Sequence, residues 1–430
     1  MKRLARRDFL KLTAAGATGS AIPWLFANRA RAQNTKKPIG RAVVIGGGYG
    51  GATAAKYLRL WSAGAVEVLM VERDAEFVSC PISNLVLSGT RKIGDITRSY
   101  ARLHDYGVQV IRDEVAAVDT AKKSVKLRRG GELPWDRLVV SPGVHLMHER
   151  IEGYDAEAQK SVLHAWKAGP ETLALRQRIE SMHDGGVFVI AIPMAPYRCL
   201  PGPYERACQV AFYFKLAKPR SKILILDANE DVTSNGPLFR AAWNELYKSM
   251  IEYRPNNEVR AVDARAGVVK TDFDAIKGDV LNVLPPMRAG EIARSASLIT
   301  ANARWCGVDW LTMESLAQKG IHVLGDSTLS APAMPKSGHM ANQHGKVAAA
   351  AIIELMNGRA PDPQPALTST CYSFVSDKEA IHVASVHHYD PAQKTFEPVH
   401  GAGGVSTARN ETEGAYGWAW AQNIWADMLD

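Results

Sequence analysis

RAVVIGGGYGG, residues 41–51, is a short apolar run that turns through glycines into the small-residue stretch 52–58. Ala42 to Ile45 read as a buried strand and the stretch beyond as a helix, with Gly46, Gly48 and Gly51 on the GxGxxG spacing. Each glycine has a separate reason to be there. The first permits the tight turn, the second lets backbone approach a pyrophosphate, and the third lets helix and strand pack closely, leaving phosphates at a positive helix N-terminus. A second apolar strand, residues 66–71, ends in Glu72, 21 residues past Gly51. That is where a carboxylate binding a ribose hydroxyl belongs. Strand, helix, strand and terminal acid in register predict a dinucleotide site.

At 430 residues the chain exceeds one core, and length predicts two to three domains. Its formal charge of +8 is concentrated at one end, since residues 1–32 hold seven Lys/Arg and one acid. The remainder carries 45 basic against 43 acidic groups, which gives no footprint for nucleic acid. Arg6-Arg7-Asp8-Phe9-Leu10-Lys11, an apolar run to Ala27 and Ala30-Arg31-Ala32 read as a twin-arginine export signal over residues 1–32, implying a periplasmic protein. No later stretch reaches the length needed to span a bilayer. Five cysteines, Cys80, Cys199, Cys208, Cys306 and Cys371, leave one unpaired by parity in an oxidising compartment. The twelve histidines show no metal-ligand spacing, and there is no CxxCH for haem, so no metal site is expected on this chain.

Along the chain, a helix is expected over residues 95–106, strands at 108–111 and 116–119, a hairpin around Arg129-Gly130-Gly131, and a buried strand closing on Ser141-Pro142-Gly143. A second βαβ unit follows, with helix 170–182, strand 187–192, helix 204–216, strand 223–226 and helix 238–250. Its first turn reads Ile192-Pro193-Met194-Ala195-Pro196 where a nicotinamide site needs GxGxxG. Proline offers no backbone N–H to a pyrophosphate, so this unit is expected not to bind NAD(P)H. The strand 321–324 then ends in Gly325-Asp326, and Pro335-Lys336-Ser337-Gly338 opens a long helix. Residues 357–365 read as a linker to an aromatic-rich third region.

Four further segments carry a resemblance: Phe77-Val78-Ser79-Cys80-Pro81-Ile82-Ser83-Asn84, residues 196–206 (PYRCLPGPYER), Met334-Pro335-Lys336-Ser337-Gly338, and Thr370-Cys371-Tyr372-Ser373. With the glycine turn and the late Gly-Asp, the chain resembles the flavin-disulfide reductases, and among them the flavoprotein subunit of flavocytochrome c sulfide dehydrogenase. The resemblance runs from about residue 40 to residue 430. It implies an α/β fold of two Rossmann-like domains and a C-terminal α+β interface domain. The first, FAD-type, domain is discontinuous over residues 38–151 and 285–358, the degenerate NAD-type domain spans 152–284, and the interface domain spans 359–430.

The same resemblance implies bound FAD, covalently attached at Cys80. Val115, Gly143, Gly325, Asp326, Lys336, Ser337 and Trp420 are then further cofactor contacts, with Trp418 the alternative if the tryptophan-rich tail aligns two residues earlier. It implies a redox-active disulfide between Cys199 and Cys371. With Cys80 consumed, four cysteines allow three pairings, and Cys199 with Cys208 is the structural rival. Glu205, six residues past Cys199, is either an acid/base group or a first-turn carboxylate serving the helix dipole. The chemistry implied is sulfide oxidation with electrons leaving to a c-type cytochrome subunit that carries the haem. Two alternatives stand beside it: sulfide:quinone oxidoreductase, and a flavin-bearing accessory protein that reactivates a thiosulfate-oxidising complex. A nicotinamide-dependent disulfide reductase is disfavoured by the missing second fingerprint.

Overall fold

The computed structural model describes residues 38–430, so the twin-arginine reading of residues 1–32 lies outside the described residues. The opening strand β1 (Gly40–Ile45) runs into α1 (Tyr49–Trp61), followed by β2 (Val66–Glu72), β3 (Val108–Arg112) and β4 (Arg137–Val140). All four strands are near-continuous apolar runs, which suits a parallel sheet covered on both faces. Ala42 pairs with Val68 on one side, and Val43 with Leu138 on the other. The sheet gains a fifth parallel strand, Ile321–Val323, from far along the chain, and two short antiparallel strands, Val308–Asp309 and Glu314–Ser315, at its edge. One nucleotide-type sheet is thus assembled from two separated segments.

The second sheet lies between them in sequence. After α2 (Pro170–Ser181), β5 (Val187–Ile192) leads to α3 (Gly202–Ala217), β6 (Lys222–Asp227) to α4 (Gly236–Leu246), and the set closes with β7 (Ile251–Arg254) and β8 (Val280–Val283). The four strands are parallel in the order β7-β6-β5-β8. The strand Ile321–Val323, β9 here, is followed by α5 (Gly338–Met356). Helix α5 packs against α1 at glycines: a Cβ on Gly345 would stand 2.6 Å from the Gly50 carbonyl oxygen. The third region is an antiparallel sheet of β10 (Ala366–Phe374), β11 (Ala380–Asp390) and β12 (Thr395–Val405), with α6 (Glu411–Leu429) behind it. Asn342 of α5 donates to Thr53 of α1 at 2.9 Å and to Asp427 of α6 at 2.7 Å, joining the three helices.

One expected element is absent. Residues 95–106 form two 3₁₀ turns, Ile93–Ile96 and Ala101–Tyr106, around a short strand Thr97–Ser99 that pairs with Glu76–Val78. Ile96, Tyr100 and Leu103 are buried on helical spacing, which is what the sequence pattern registers. The helix is broken by tertiary contacts: Thr97–Ser99 pairs with Glu76–Val78, and Tyr100 reaches into the glycine turn to donate to the Gly47 carbonyl at 3.2 Å.

Candidate active site

The glycine turn has the geometry its spacing demands. Gly46 adopts φ +95°, and a Cβ there would lie 2.4 Å from the Ser141 carbonyl oxygen. A Cβ on Gly51 would lie 1.8 Å from the Gly46 carbonyl oxygen, so strand and helix could not approach. Gly48, the N-cap of α1, faces open space. Glu72 accepts from the Gly47 N–H at 2.6 Å and the Asp74 N–H at 2.9 Å, which fixes its carboxylate at the end of β2. Gly143 (φ +65°) faces open space as well, and its carbonyl accepts from Ser327 at 2.5 Å. Val115 starts a strand three residues past β3 and is half-buried.

Gly325 and Asp326 follow β9 directly and share a cleft with Lys336, Ser337, Ala341 and His344. Asp326 is buried, and its Oδ1 has no protein partner. A buried carboxylate oxygen without a donor is costly. A hydroxyl of a flavin's ribityl chain would satisfy it, and together with the open glycine turn the site fits a flavin dinucleotide. Burial raises the Asp326 pKa, and Arg198 and Lys336 pull it back down. The Lys336 ammonium donates to the carbonyls of Asp326, at 3.1 Å, and Thr328, and lies 3.8 Å over the Trp305 ring. Burial lowers its pKa to about 8. Ser337 caps α5, accepting from the Met340 N–H at 3.1 Å.

Two of the sulfurs converge on that helix start. Cys199 sits at φ +61° in the turn between β5 and α3, the place where a second nucleotide fold would cradle phosphates. Its N–H donates to the Lys336 carbonyl at 2.9 Å, while Cys371, on β10, has the hydroxyls of Ser337 and Ser369 at its thiol. Burial pushes the Cys199 thiol well above its ordinary range, and Cys371 and Glu205 push it further. Arg198 and the Gly202 N–H act the other way. Burial pushes Cys371 up to about 11, with its two serines opposing. All five cysteines are free thiols here. Cys208 is fully buried on α3 near Trp243 and Tyr247, and Cys306 is buried near Lys336. Cys80 accepts from the Ala168 N–H at 3.4 Å and lies within electrostatic reach of Tyr49 and Arg198, both of which also feel Cys199.

Glu205 is buried on the first turn of α3. Its Oε1 accepts from the Phe374 N–H at 2.9 Å and its Oε2 from Asn84 at 2.8 Å. Burial raises its pKa to about 7 against those two bonds and the nearby Arg206. Trp420 stacks loosely with His339 and Tyr372, ring centroids 5.9 and 6.4 Å away, next to Cys371 in sequence. Trp418 instead lies under Arg91. Sequence reasoning missed Trp425, whose indole donates to Tyr49 at 3.1 Å while Tyr49 bonds Ser79 at 2.7 Å beside Cys80. The one clue was Tyr49 itself, the single large residue inside the glycine turn. Among the described residues no cluster of His, Cys, Asp and Glu could hold a metal.

The second fold turns its own acid inward. Asp227 ends β6, where a nicotinamide domain keeps the ribose-binding carboxylate. It is wholly buried, accepting from Tyr204 at 2.6 Å, Tyr253 at 3.1 Å and the Asn229 amide at 2.7 Å. Asn229 in turn ties down the proline turn, donating to Pro193 O at 3.1 Å and accepting from the Ala195 N–H at 3.0 Å. Anaerobic mixing with NADH or NADPH is therefore expected to leave the flavin spectrum oxidised. Rapid bleaching would overturn this account of residues 187–229.

Comparison with known proteins gives matches along most of the chain. The family model of the sulfide dehydrogenase [flavocytochrome c] flavoprotein chain, central region, matches residues 172–285, and that of the flavocytochrome c sulphide dehydrogenase flavin-binding region matches 363–429. The pyridine nucleotide-disulphide oxidoreductase model matches 40–180. Mitochondrial sulfide:quinone oxidoreductase of Mus musculus is 25% identical over 319 residues, 68% of this chain and 67% of that protein. A sulfide dehydrogenase [flavocytochrome c] flavoprotein chain of Chlorobaculum thiosulfatiphilum is 52% identical over 46 residues, 11% of this chain and 94% of that sequence. The solved sulfide:quinone oxidoreductase of Aquifex aeolicus superposes with a TM-score of 0.70 at 19% identity, covering 90% of this chain and 91% of its own.

Proposed function

The chain belongs to the flavoprotein family of flavocytochrome c sulfide dehydrogenase, within the flavin-disulfide reductases, and from that premise we propose that it oxidises sulfide through a Cys199–Cys371 disulfide in the periplasm, passing electrons to a c-type cytochrome subunit. It is a flavin-dependent sulfur oxidoreductase of α/β fold. The observation that carries the proposal is the meeting of Cys199 and Cys371 at the start of α5, beside Asp326 and Lys336.

Glu205, balanced near neutrality, takes a proton from hydrogen sulfide and leaves hydrosulfide as the nucleophile. Exchange favours expulsion of the thiol with the lower pKa. The hydroxyls of Ser337 and Ser369 at the Cys371 sulfur stabilise a thiolate there, so attack falls on Cys199, which becomes a persulfide while Cys371 leaves as thiolate. A second hydrosulfide then takes the outer sulfur from Cys199 as disulfide anion. The net change is two hydrosulfides to one hydrodisulfide, one proton and two electrons, and the Cys199–Cys371 bond is restored. Bound FAD, held by Gly46, Gly48, Gly51, Glu72, Asp326 and Ser337 and tethered at Cys80, supplies a two-electron acceptor that can discharge one electron at a time.

A quinone acceptor is the second reading, favoured by the likeness to sulfide:quinone oxidoreductases. Supporting cytochrome is the C-terminal helix. Ala421, Ile424, Trp425, Met428 and Leu429 of α6 are buried inward, and Asp427 is held by Tyr57 at 2.6 Å and by Lys346. Its apolar face is committed within the protein and so is not offered to lipid. With sulfide as donor, the purified protein is expected to reduce a c-type cytochrome and to leave a short-chain quinone unreduced. The opposite pattern would sink the cytochrome assignment.

A further inference from the structure

Every polar atom of the Asn84 amide is engaged, and all its partners lie on α3. Nδ2 donates to Glu205 Oε2 at 2.8 Å and to the Gly202 carbonyl at 3.1 Å, while Oδ1 accepts from Arg206 Nε at 3.0 Å. These bonds fix the amide's orientation, because only its nitrogen can donate to a carboxylate and only its oxygen can accept from a guanidinium. Arg206 is itself about 1% exposed and locked by the carbonyls of His164 and Ala165, each at 2.7 Å, by Asn282 at 2.9 Å, and by the face of Trp166. Asn84 therefore cannot turn away. Through it the loop that carries Cys80 is bolted to the helix start that flanks Cys199. Glu205's other oxygen, held by the Phe374 N–H, reaches the strand of Cys371.

Resting on the proposed role of Glu205 as proton acceptor, we infer that Asn84 is a positioning residue, buttressed by Arg206, that holds the Glu205 carboxylate in its ionisable place between the two cysteines. The groups facing Glu205 are few. Arg206 on α3 is the cation, the thiols of Cys199, Cys208 and Cys371 come from the preceding turn, α3 and β10, and the neutral donors are Asn84 and the Phe374 N–H. Burial favours the neutral acid, and the donated hydrogen bonds favour the ion. Removing one donor to a buried carboxylate is worth about one to two pH units.

The test titrates Glu205 in the oxidised holoprotein by infrared spectroscopy, with Glu205→Gln as the spectral blank. Asn84→Leu keeps the size and places neither a donor to Glu205 nor a charge beside it. Asn84→Ala removes the amide entirely. Both are expected to raise the Glu205 midpoint by about one to two pH units, and the acid limb of the pH–rate profile with it. Val86→Ala, which loosens the packing of the same short helix Asn84–Ser88 without touching the carboxylate, is expected to leave the midpoint in place. An unmoved midpoint in folded Asn84→Leu, or an equal shift in Val86→Ala, would overturn the inference. The titration needs no turnover. A shifted midpoint in a protein that fails to oxidise sulfide would keep the Asn84 role and count against the sulfide reading alone.

Discussion

Cys199→Ser and Cys371→Ser are each expected to cut sulfide-driven acceptor reduction by on the order of 10³-fold or more, as loss of a covalent nucleophile does, while Cys208→Ser and Cys306→Ser keep most of it. Hydrosulfide needs an electrophilic sulfur to attack, and the sulfur expelled must be a separate thiolate. One cysteine cannot serve as both. The partner of Cys199 has to reach the start of α5, where Ser337 and Ser369 meet Cys371. Cys208 instead lies fully buried along α3, packed near Trp243 and Tyr247. The decisive assay sets Cys371→Ser beside Cys208→Ser with the same donor and acceptor. Full activity in the first and none in the second would show the pairing to be wrong.

The second large effect concerns Cys80. Denatured wild-type protein is expected to carry its yellow chromophore into the pellet, and Cys80→Ala to release all of it to the supernatant. Cys80 sits in the loop after β2, half-buried, with Tyr49 from the glycine turn and Arg198 from the Cys199 turn both in its field. Free FAD from the wild type, with an unmodified Cys80 peptide by mass, would refute the tether.

Much of the first fold is legible in residues 41–72, because a parallel strand, a glycine turn and a terminal acid are local features with fixed spacing. Strands 187–192 and 223–226 and the three helices of the second unit read equally well, while Ile251–Arg254 and Val280–Val283, which complete its sheet, go unread. What sequence hides is where distant residues meet. Ile96, Tyr100 and Leu103 mimic a helix because burial alone sets their spacing, and nothing local reveals that Tyr100 is drawn to Gly47. Asp227 reads as a plain acid at a strand end until Tyr204 and Tyr253 close over it. Glu205 at a first turn looks like dipole chemistry, and its burial depends on Asn84 and Phe374, 121 and 169 positions away. Trp425 carries no motif at all, and Arg206 closes the stretch 196–206 with nothing local to show that it locks Asn84.

The Trp425–Tyr49 bond joins partners 376 positions apart, and Lys56, two turns further along α1, donates to the Asp427 carbonyl at 2.8 Å. The helix that opens the dinucleotide turn is among the first elements to leave the ribosome, and the helix that braces it is made after every other element described. Contacts of such separation form late. Newly made protein therefore passes through a stage in which the glycine turn is made and its brace is not. A nascent chain halted before residue 411 would hold the phosphate loop and still lack the wall behind it.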